Sequence, residues 1–506
     1  MNNGTEFISV FNDVLGPVMR GPSSSHTAGA YRIAKICRSL FGAMPRKVTC
    51  SFDPEGSYAP TYLPLGVDLA FAAGMLGWEM TDARYKSSLS AIHDAGTDLS
   101  FEIRPLEMNE HPNTVCVVMD SSSARSLTVW AKSVGGGVIE IFQIDGFPVT
   151  ISGKSRELFA IIAEERFADL SDDLGESVEI CRRAGRLLAK FSLSGPLGCV
   201  HGKPGLRPLV VEPVFFPCKG HPLFLSSEDM VNYSAQIHAG LGDTALEYES
   251  EILQMPKSDA AAEMLIRYKI MKSSVNQGLD DQIVDMPLTD PSASKIKNEM
   301  NSLPDTGPTG RAAVRALAAM HTCNSRGIVC AAPTGGSAGV IPGVMITLEE
   351  ELHMPEDAIV RALFAASAVG MVVARRATFA AETAGCQFEI GVAGAMAAAA
   401  VVDAYQGDAE TATAAAAISL QNTMGLVCDP VQGGCEIPCH TRNAVAAANA
   451  FTCATLVLGG YKNPIPLDQT VDAAFAVGCT LPRELRCTAL GGIAATKSAN
   501  EMRSRV

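Results

Sequence analysis

Basic residues are the minority charge in this 506-residue chain, with 40 Lys and Arg against 54 Asp and Glu and a net charge of −14. Binding a phosphate backbone needs a basic surface, so no nucleic-acid partner is expected. A small anionic substrate stays open, because a few placed donors act locally against the global charge. Charged residues of both signs reach only 19%, against 47% apolar. That balance excludes wholesale disorder and allows several buried cores. Length alone suggests roughly two to four domains. The opening stretch, MNNGTEFISVFNDVLG, carries Glu6 and Asp13 and no basic region, so it does not read as a secretory signal. Long apolar runs are missing too. The richest, residues 391–402 and 411–420, are Ala-rich, shorter than a bilayer span, and read as closely packed buried helices. The expectation is a cytoplasmic protein with no membrane partner, whose 15 cysteines are mostly thiols.

Three regions differ in character. Over residues 1–155 helical and strand-like segments alternate. An apolar stretch with helical spacing, residues 28–40, precedes strand-like runs at 47–52, 113–119, 126–131 and 137–144. This predicts an α+β domain. Residues 156–242 read as an insertion or linker, helical and charged through Lys190, then Pro/Gly-rich. Cys199, His201, Cys218 and His221 lie there, but their spacings match no zinc pattern, so ordinary thiols and imidazoles are favoured. Residues 243–506 are dominated by Ala/Gly-rich helical segments near 311–321, 357–375, 391–417 and 443–457. They predict a mainly helical domain packed through small side chains, with functional loops at the breaks.

Three motifs carry chemistry. RGPSSSHT (20–27) stands directly before a predicted helix, where hydroxyls, His26 and backbone N–H groups form a receptor for an anion. One Ser would suffice for an ordinary N-cap, so anion binding is favoured. AAPTGGSAG (331–339) resembles a phosphate-cradling loop but lacks the Gly-Lys-Ser/Thr ending, which makes a nucleotide improbable. Thr334 and Ser337 could still donate to a smaller anion. Finally, Cys386 sits in AGCQFE and Cys428 and Cys439 in LVCDPVQGGCEIPC. Their spacing is not a ferredoxin string and leaves iron–sulfur, zinc and buried thiols open.

In these motifs the chain resembles the iron–sulfur-dependent bacterial L-serine dehydratases, with β-type and α-type parts fused in that order. The likeness covers residues 7–155 and 243–495. It rests on SVFNDVLGPVMRGPSSSHTAGAYRIAKICRSLFG, HPNT (111–114), AAPTGGSAGVIPG, GCQFEIGVAGAMAAA, GLVCDPVQGGCEIPCHTRNA and ALGGIAAT. The resemblance implies a [4Fe–4S] cluster on Cys386, Cys428 and Cys439, with one iron left free for the leaving β-hydroxyl. It implies no pyridoxal cofactor. Ser23, Ser24, Ser25, His26 and Thr27 would bind the substrate carboxylate, with Thr334 and Ser337 approaching from the helical domain. Ser25, His26 and His111 would act in catalysis. The reaction would eliminate water from a small β-hydroxy acid, L-serine first, giving pyruvate and ammonia in amino-acid degradation and gluconeogenesis. A homo-oligomer is expected. The pattern departs at Leu65 and Val67, where the family's Gly-His-Gly-Thr-Asp segment has His and Thr. That departure points to a changed substrate such as 2-(hydroxymethyl)glutarate. The chain also ends Arg503-Ser-Arg-Val506, without the terminal Cys that some members use to cap the free iron. A non-enzymatic paralogue that binds an acid or senses iron or oxygen is the remaining alternative, and it gains weight if Cys435 closes a four-Cys set.

Overall fold

The computed structural model describes residues 7–122, 125–166, 178–191, 208–280, 286–304 and 306–502. A short strand, β1 (Val18–Arg20), leads into the Ser-rich turn and then the helix Gly29–Phe41. Ala30, Ile33, Ala34, Cys37, Leu40 and Phe41 are buried at three- and four-residue spacing, giving this helix one apolar face. The face meets a six-stranded sheet of β2 (Lys47–Phe52), β3 (Asp98–Ile103), β4 (Thr114–Asp120), β5 (Ser126–Gly135), β6 (Val138–Ile144) and β7 (Phe147–Ile151). Their spatial order is β3-β2-β4-β5-β6-β7. β2 and β3 run parallel and every other pairing is antiparallel. Helices Tyr58–Leu65 and Val67–Leu76, bent by 71° at Gly66, cover the same core.

The described residues of 157–191 overturn an expectation. Instead of a charged helix they form β8 (Glu157–Ala163), β9 (Val178–Arg183) and β10 (Arg186–Phe191), and β11 (Pro208–Val211) completes an antiparallel sheet of order β11-β8-β10-β9. The reason is that both faces are covered. Leu158, Ala160, Ile162, Leu187, Ala189 and Phe191 form a small core of their own, while Phe159, Leu188 and Leu209 join the N-terminal core. With apolar residues on both sides, the alternation that marks a strand is lost from the sequence. Of the four Cys and His residues of this region, Cys199 and His201 lie outside the described residues. Cys218 meets the Asn12 amide at 3.7 Å and His221 packs edge-on against Phe7.

The C-terminal region is mainly helical, as expected. Helix Ile390–Ala404 is buried from Ile390 through Val402 and lies among Glu356–Arg376, Ala409–Asn422 and Cys439–Leu458. Small residues let these backbones approach. A Cβ on Gly278 would lie 1.7 Å from the Ala318 carbonyl oxygen of the neighbouring helix. Among the described residues, two segments, Glu356–Arg376 and Cys386–Ala404, are long and apolar enough to cross a membrane, but most of each is buried against the rest of the protein.

The two regions interlock. β1 pairs antiparallel with β12 (Ile328–Cys330). Val10, Phe11, Val14 and Leu15 belong to the helical core rather than the α/β core. Buried Glu249 holds that segment, accepting from the Ser9 hydroxyl (2.6 Å) and the backbone N–H groups of Val10 (2.7 Å) and Phe11 (3.1 Å). The interlock sets the two halves of the cavity described next.

Candidate active site

Three loops of the helical region bring thiols to one point. Cys386 opens the turn Cys386–Phe388, and Gly385 before it has φ 79°, with a Cβ there falling 2.7 Å from the Leu426 carbonyl oxygen. Only glycine takes that conformation at that distance without strain. Cys428 is held between strand-like contacts, donating from its N–H to the Leu485 carbonyl (2.9 Å) and accepting from the Cys487 N–H (2.8 Å). Cys439 begins the helix Cys439–Leu458. The Cys386 thiol contacts those of Cys428 and Cys439, and the Cys386 and Cys428 sulfurs and a Glu389 carboxylate oxygen lie within 4.8 Å of one another. Contact with Cys386 and Cys487, reinforced by burial, holds the Cys428 thiol well above its ordinary range. Arg442, one turn into the helix, is the cation beside this set. Burial opposes its charge, but Cys386, Asp429 and Cys439 outweigh burial and raise its pKa. It binds Asp429 at 2.9 Å and donates to the Val427 carbonyl at 2.9 Å.

Two more thiols join these three. Cys435 contacts Cys439, and Cys487 contacts Cys428. Cys487 was not apparent in the sequence, because it lies 48 residues beyond Cys439, just ahead of ALGGIAAT (489–496) and apart from the other cysteine motifs. Ser57 is a second residue that the sequence does not single out. It donates toward the Cys487 carbonyl (3.3 Å) and meets His26 Nε2 (3.0 Å), tying the α/β region to the cysteine loops.

Part of this set borders one cavity, with Cys386 just outside its lining. Pro22, Ser23, Ser25, His26 and Leu65 line it from the α/β side, and Glu382, Glu389, Cys428, Cys435, Cys439 and Cys487 from the helical side. His26 is held on every polar atom. Its Nδ1 meets the Ser23 (2.9 Å) and Ser25 (3.1 Å) hydroxyls. Burial, with His111 adding to it, lowers its pKa to about 3, so the ring is neutral at neutral pH. His111 lies off the cavity wall, accepting at Nδ1 from the Asn113 N–H (3.1 Å), and burial lowers its pKa to about 4.

The other expected anion ligands are placed differently. Ser24 is buried with its hydroxyl unpartnered, and the Thr27 hydroxyl donates to the Ser23 carbonyl. Ser337 donates to the Ala332 carbonyl (3.1 Å), whereas Thr334 reaches Glu389. That loop abuts the Ser-rich turn, since a Cβ on Gly335 would lie 3.0 Å from the Ser24 nitrogen. Leu65 stands at the cavity wall. Val67 does not and is buried in the α/β core.

Glu382 is a third residue that the sequence does not single out. It accepts from the Asn113 amide and contacts the Ser25 hydroxyl. Burial, with Glu389 acting in the same direction, raises its pKa to about 7. Burial likewise raises Glu389 to about 8. One signal could have found both, as they are the only acids in the otherwise apolar stretch 377–402.

The family model "Serine dehydratase alpha chain" matches residues 225–494. The chain belongs to the L-serine dehydratase family. It carries β-type and α-type parts in one polypeptide. A probable L-serine dehydratase alpha chain of Bacillus subtilis (strain 168) is 36% identical over 286 residues, 56% of this chain and 95% of that relative. A probable alpha chain of Latilactobacillus sakei is 44% identical over 191 residues, 38% of this chain and 91% of the relative. The probable beta chain of the same Bacillus strain is 35% identical over 189 residues, 37% of this chain and 78% of the relative. Membership in this family makes the protein a lyase acting on a small molecule.

Proposed function

We propose that the protein is a [4Fe–4S]-dependent hydro-lyase that removes water from L-serine, yielding pyruvate and ammonia. The observation that carries this reading is the shared cavity, with Cys428 and Cys439, each in contact with Cys386, on one wall and a hydroxyl-rich anion receptor on the other. The donor set fits such a cluster. Soft thiolates suit iron–sulfur sites, and buried thiols that touch one another ionise readily only when a metal compensates their charge. Cys386, Cys428 and Cys439 would hold the cluster, which when bound supplies an open Lewis-acid iron for the departing hydroxyl. Ser23 and Ser25 bind the substrate carboxylate, and neutral His26 fixes both hydroxyls in place. Leu65 closes the wall near the substrate and excludes water from that side.

A second reading is supported by Leu65 itself. An apolar group there leaves room for carbon and offers no hydrogen bond to an amino acid. A longer β-hydroxy acid, of the 2-(hydroxymethyl)glutarate type, is therefore a candidate substrate.

The test is anaerobic reconstitution with iron and sulfide, followed by assay against a small panel of hydroxy acids. Visible absorbance near roughly 400 nm is expected, as is activity that decays in air and returns with ferrous iron and reductant. Ala at Cys386, Cys428 or Cys439 should remove both colour and turnover, whereas Cys435→Ala should keep them. Equal loss at Cys435 would mean a closed four-thiol site and would contradict the open-iron reading.

A further inference from the structure

We propose that Glu382 is the base that takes the Cα proton of the substrate. This assignment rests on the hydro-lyase reading above. Elimination needs a proton acceptor at the cavity, and few side chains there can serve. Both nitrogens of His26 are occupied by the hydroxyls of Ser23, Ser25 and Ser57. His111 lies off the wall and accepts from the backbone of Asn113. Leu65 has no titratable atom. Glu389 is engaged with the Cys386 thiol at 3.7 Å and with Thr334.

Thiols aside, Glu382 has the remaining position. It lies on the cavity wall, 4% exposed, and among the described residues forms no ion pair with any Lys or Arg. A carboxyl buried without a cation is costly, and a purely structural role would be served as well by an amide. Its neighbours orient it. Asn113 donates to one oxygen, and the Ser25 hydroxyl contacts the group. Ser25 thus stands between the carboxylate-binding turn and Glu382, so an acid held by Ser25 presents its Cα beside the Glu382 carboxylate. The raised pKa, about 7, suits proton transfer at neutral pH.

The step balances without any further reactant. Glu382 as carboxylate accepts the Cα proton while the C–H electron pair becomes the Cα=Cβ bond. The Cβ–O bond breaks and its electron pair leaves with hydroxide. The proton on Glu382 passes to that hydroxide as water, and the carboxylate is regenerated.

The experiment uses the full chain, reconstituted anaerobically, with Glu382→Gln and Glu382→Asp compared to wild type on the best substrate of the panel. Glu382→Gln should keep the cluster spectrum and its perturbation by substrate, while turnover falls about 10²–10⁴-fold. Glu382→Asp, with the carboxylate drawn back, should keep the spectrum, lose part of kcat and show a larger isotope effect with Cα-deuterated substrate. Turnover within a few-fold of wild type in Glu382→Gln overturns the assignment. So does an unchanged kcat and isotope effect in Glu382→Asp, which decides the matter if the Gln variant fails to hold its cluster. Wild type that turns over no β-hydroxy acid would sink the hydro-lyase reading, and the base assignment with it.

Discussion

Ser25 does three things within one turn of chain: its hydroxyl meets His26 Nδ1 at 3.1 Å, contacts Glu382, and lines the cavity. Removing one buried, charge-assisted hydrogen bond costs about 1.5–3 kcal/mol, roughly ten- to a hundredfold in binding. Ser25→Ala should therefore raise KM by that factor while the visible spectrum stays as in wild type. An unchanged KM would return the turn to a capping role. Leu65 is the complementary case. It replaces the imidazole that the family resemblance expects, and its side chain meets the cavity, whereas Val67 lies in the α/β core. A hydroxyl at position 67 would be buried among apolar groups at a cost of about 1–3 kcal/mol, so position 65 is the one to change. On the second reading wild type should favour a longer hydroxy acid over serine, and Leu65→His should raise kcat/KM for serine about tenfold or more relative to that acid. Efficient serine turnover by wild type, unimproved in Leu65→His, would leave an ordinary serine dehydratase pocket.

At the level of elements, small residues set the helix spacing around the cysteine loops. Gly278 meets the Ala318 carbonyl oxygen so closely that any side chain must push the two helices apart. Gly278→Ala should lose about 1–3 kcal/mol or more by overpacking, read as a lower midpoint in denaturant with unchanged far-UV signal. The sequence made the Ala/Gly-rich helices legible, because small apolar residues recur through each segment and Gly, Pro and Asp mark the breaks between them. It also made the α+β character of residues 1–155 legible, through β2 and β4–β6. It did not reveal β8–β10, whose two covered faces erase the period-two pattern. The site divides in the same way. Cys386, Cys428 and Cys439 stand in Gly/Pro-marked loops and can be singled out, and the structure brings them together with Ser23, Ser25 and His26. Glu382, Ser57 and Cys487 carry no local mark of a role. Their place depends on long-range packing, with 269 residues separating Asn113 from Glu382.

Across the whole molecule, the two regions are joined at places far apart in sequence, and one junction is titratable. Glu249 is fully buried, yet it holds the N-terminal turn on the helical core through Ser9, Val10 and Phe11. Burial raises its pKa to about 7, against the pull of these three donors. Unfolded, the group titrates near its ordinary value of about 4.3. Between those two values the folded chain keeps a proton that the unfolded chain releases. Raising the pH through this window therefore favours unfolding, and stability falls. The full effect is on the order of 4 kcal/mol, complete once the pH exceeds about 7. Glu249→Gln cannot titrate. Its amide would face the Val10 N–H and lower stability at every pH, so the slope is the informative quantity. Denaturant titrations between about pH 5 and 8 should show wild-type stability falling more steeply than that of Glu249→Gln. Parallel pH profiles would mean that Glu249 is already ionised in the folded protein at pH 5. The three donors would then hold a carboxylate at this junction, not a neutral acid.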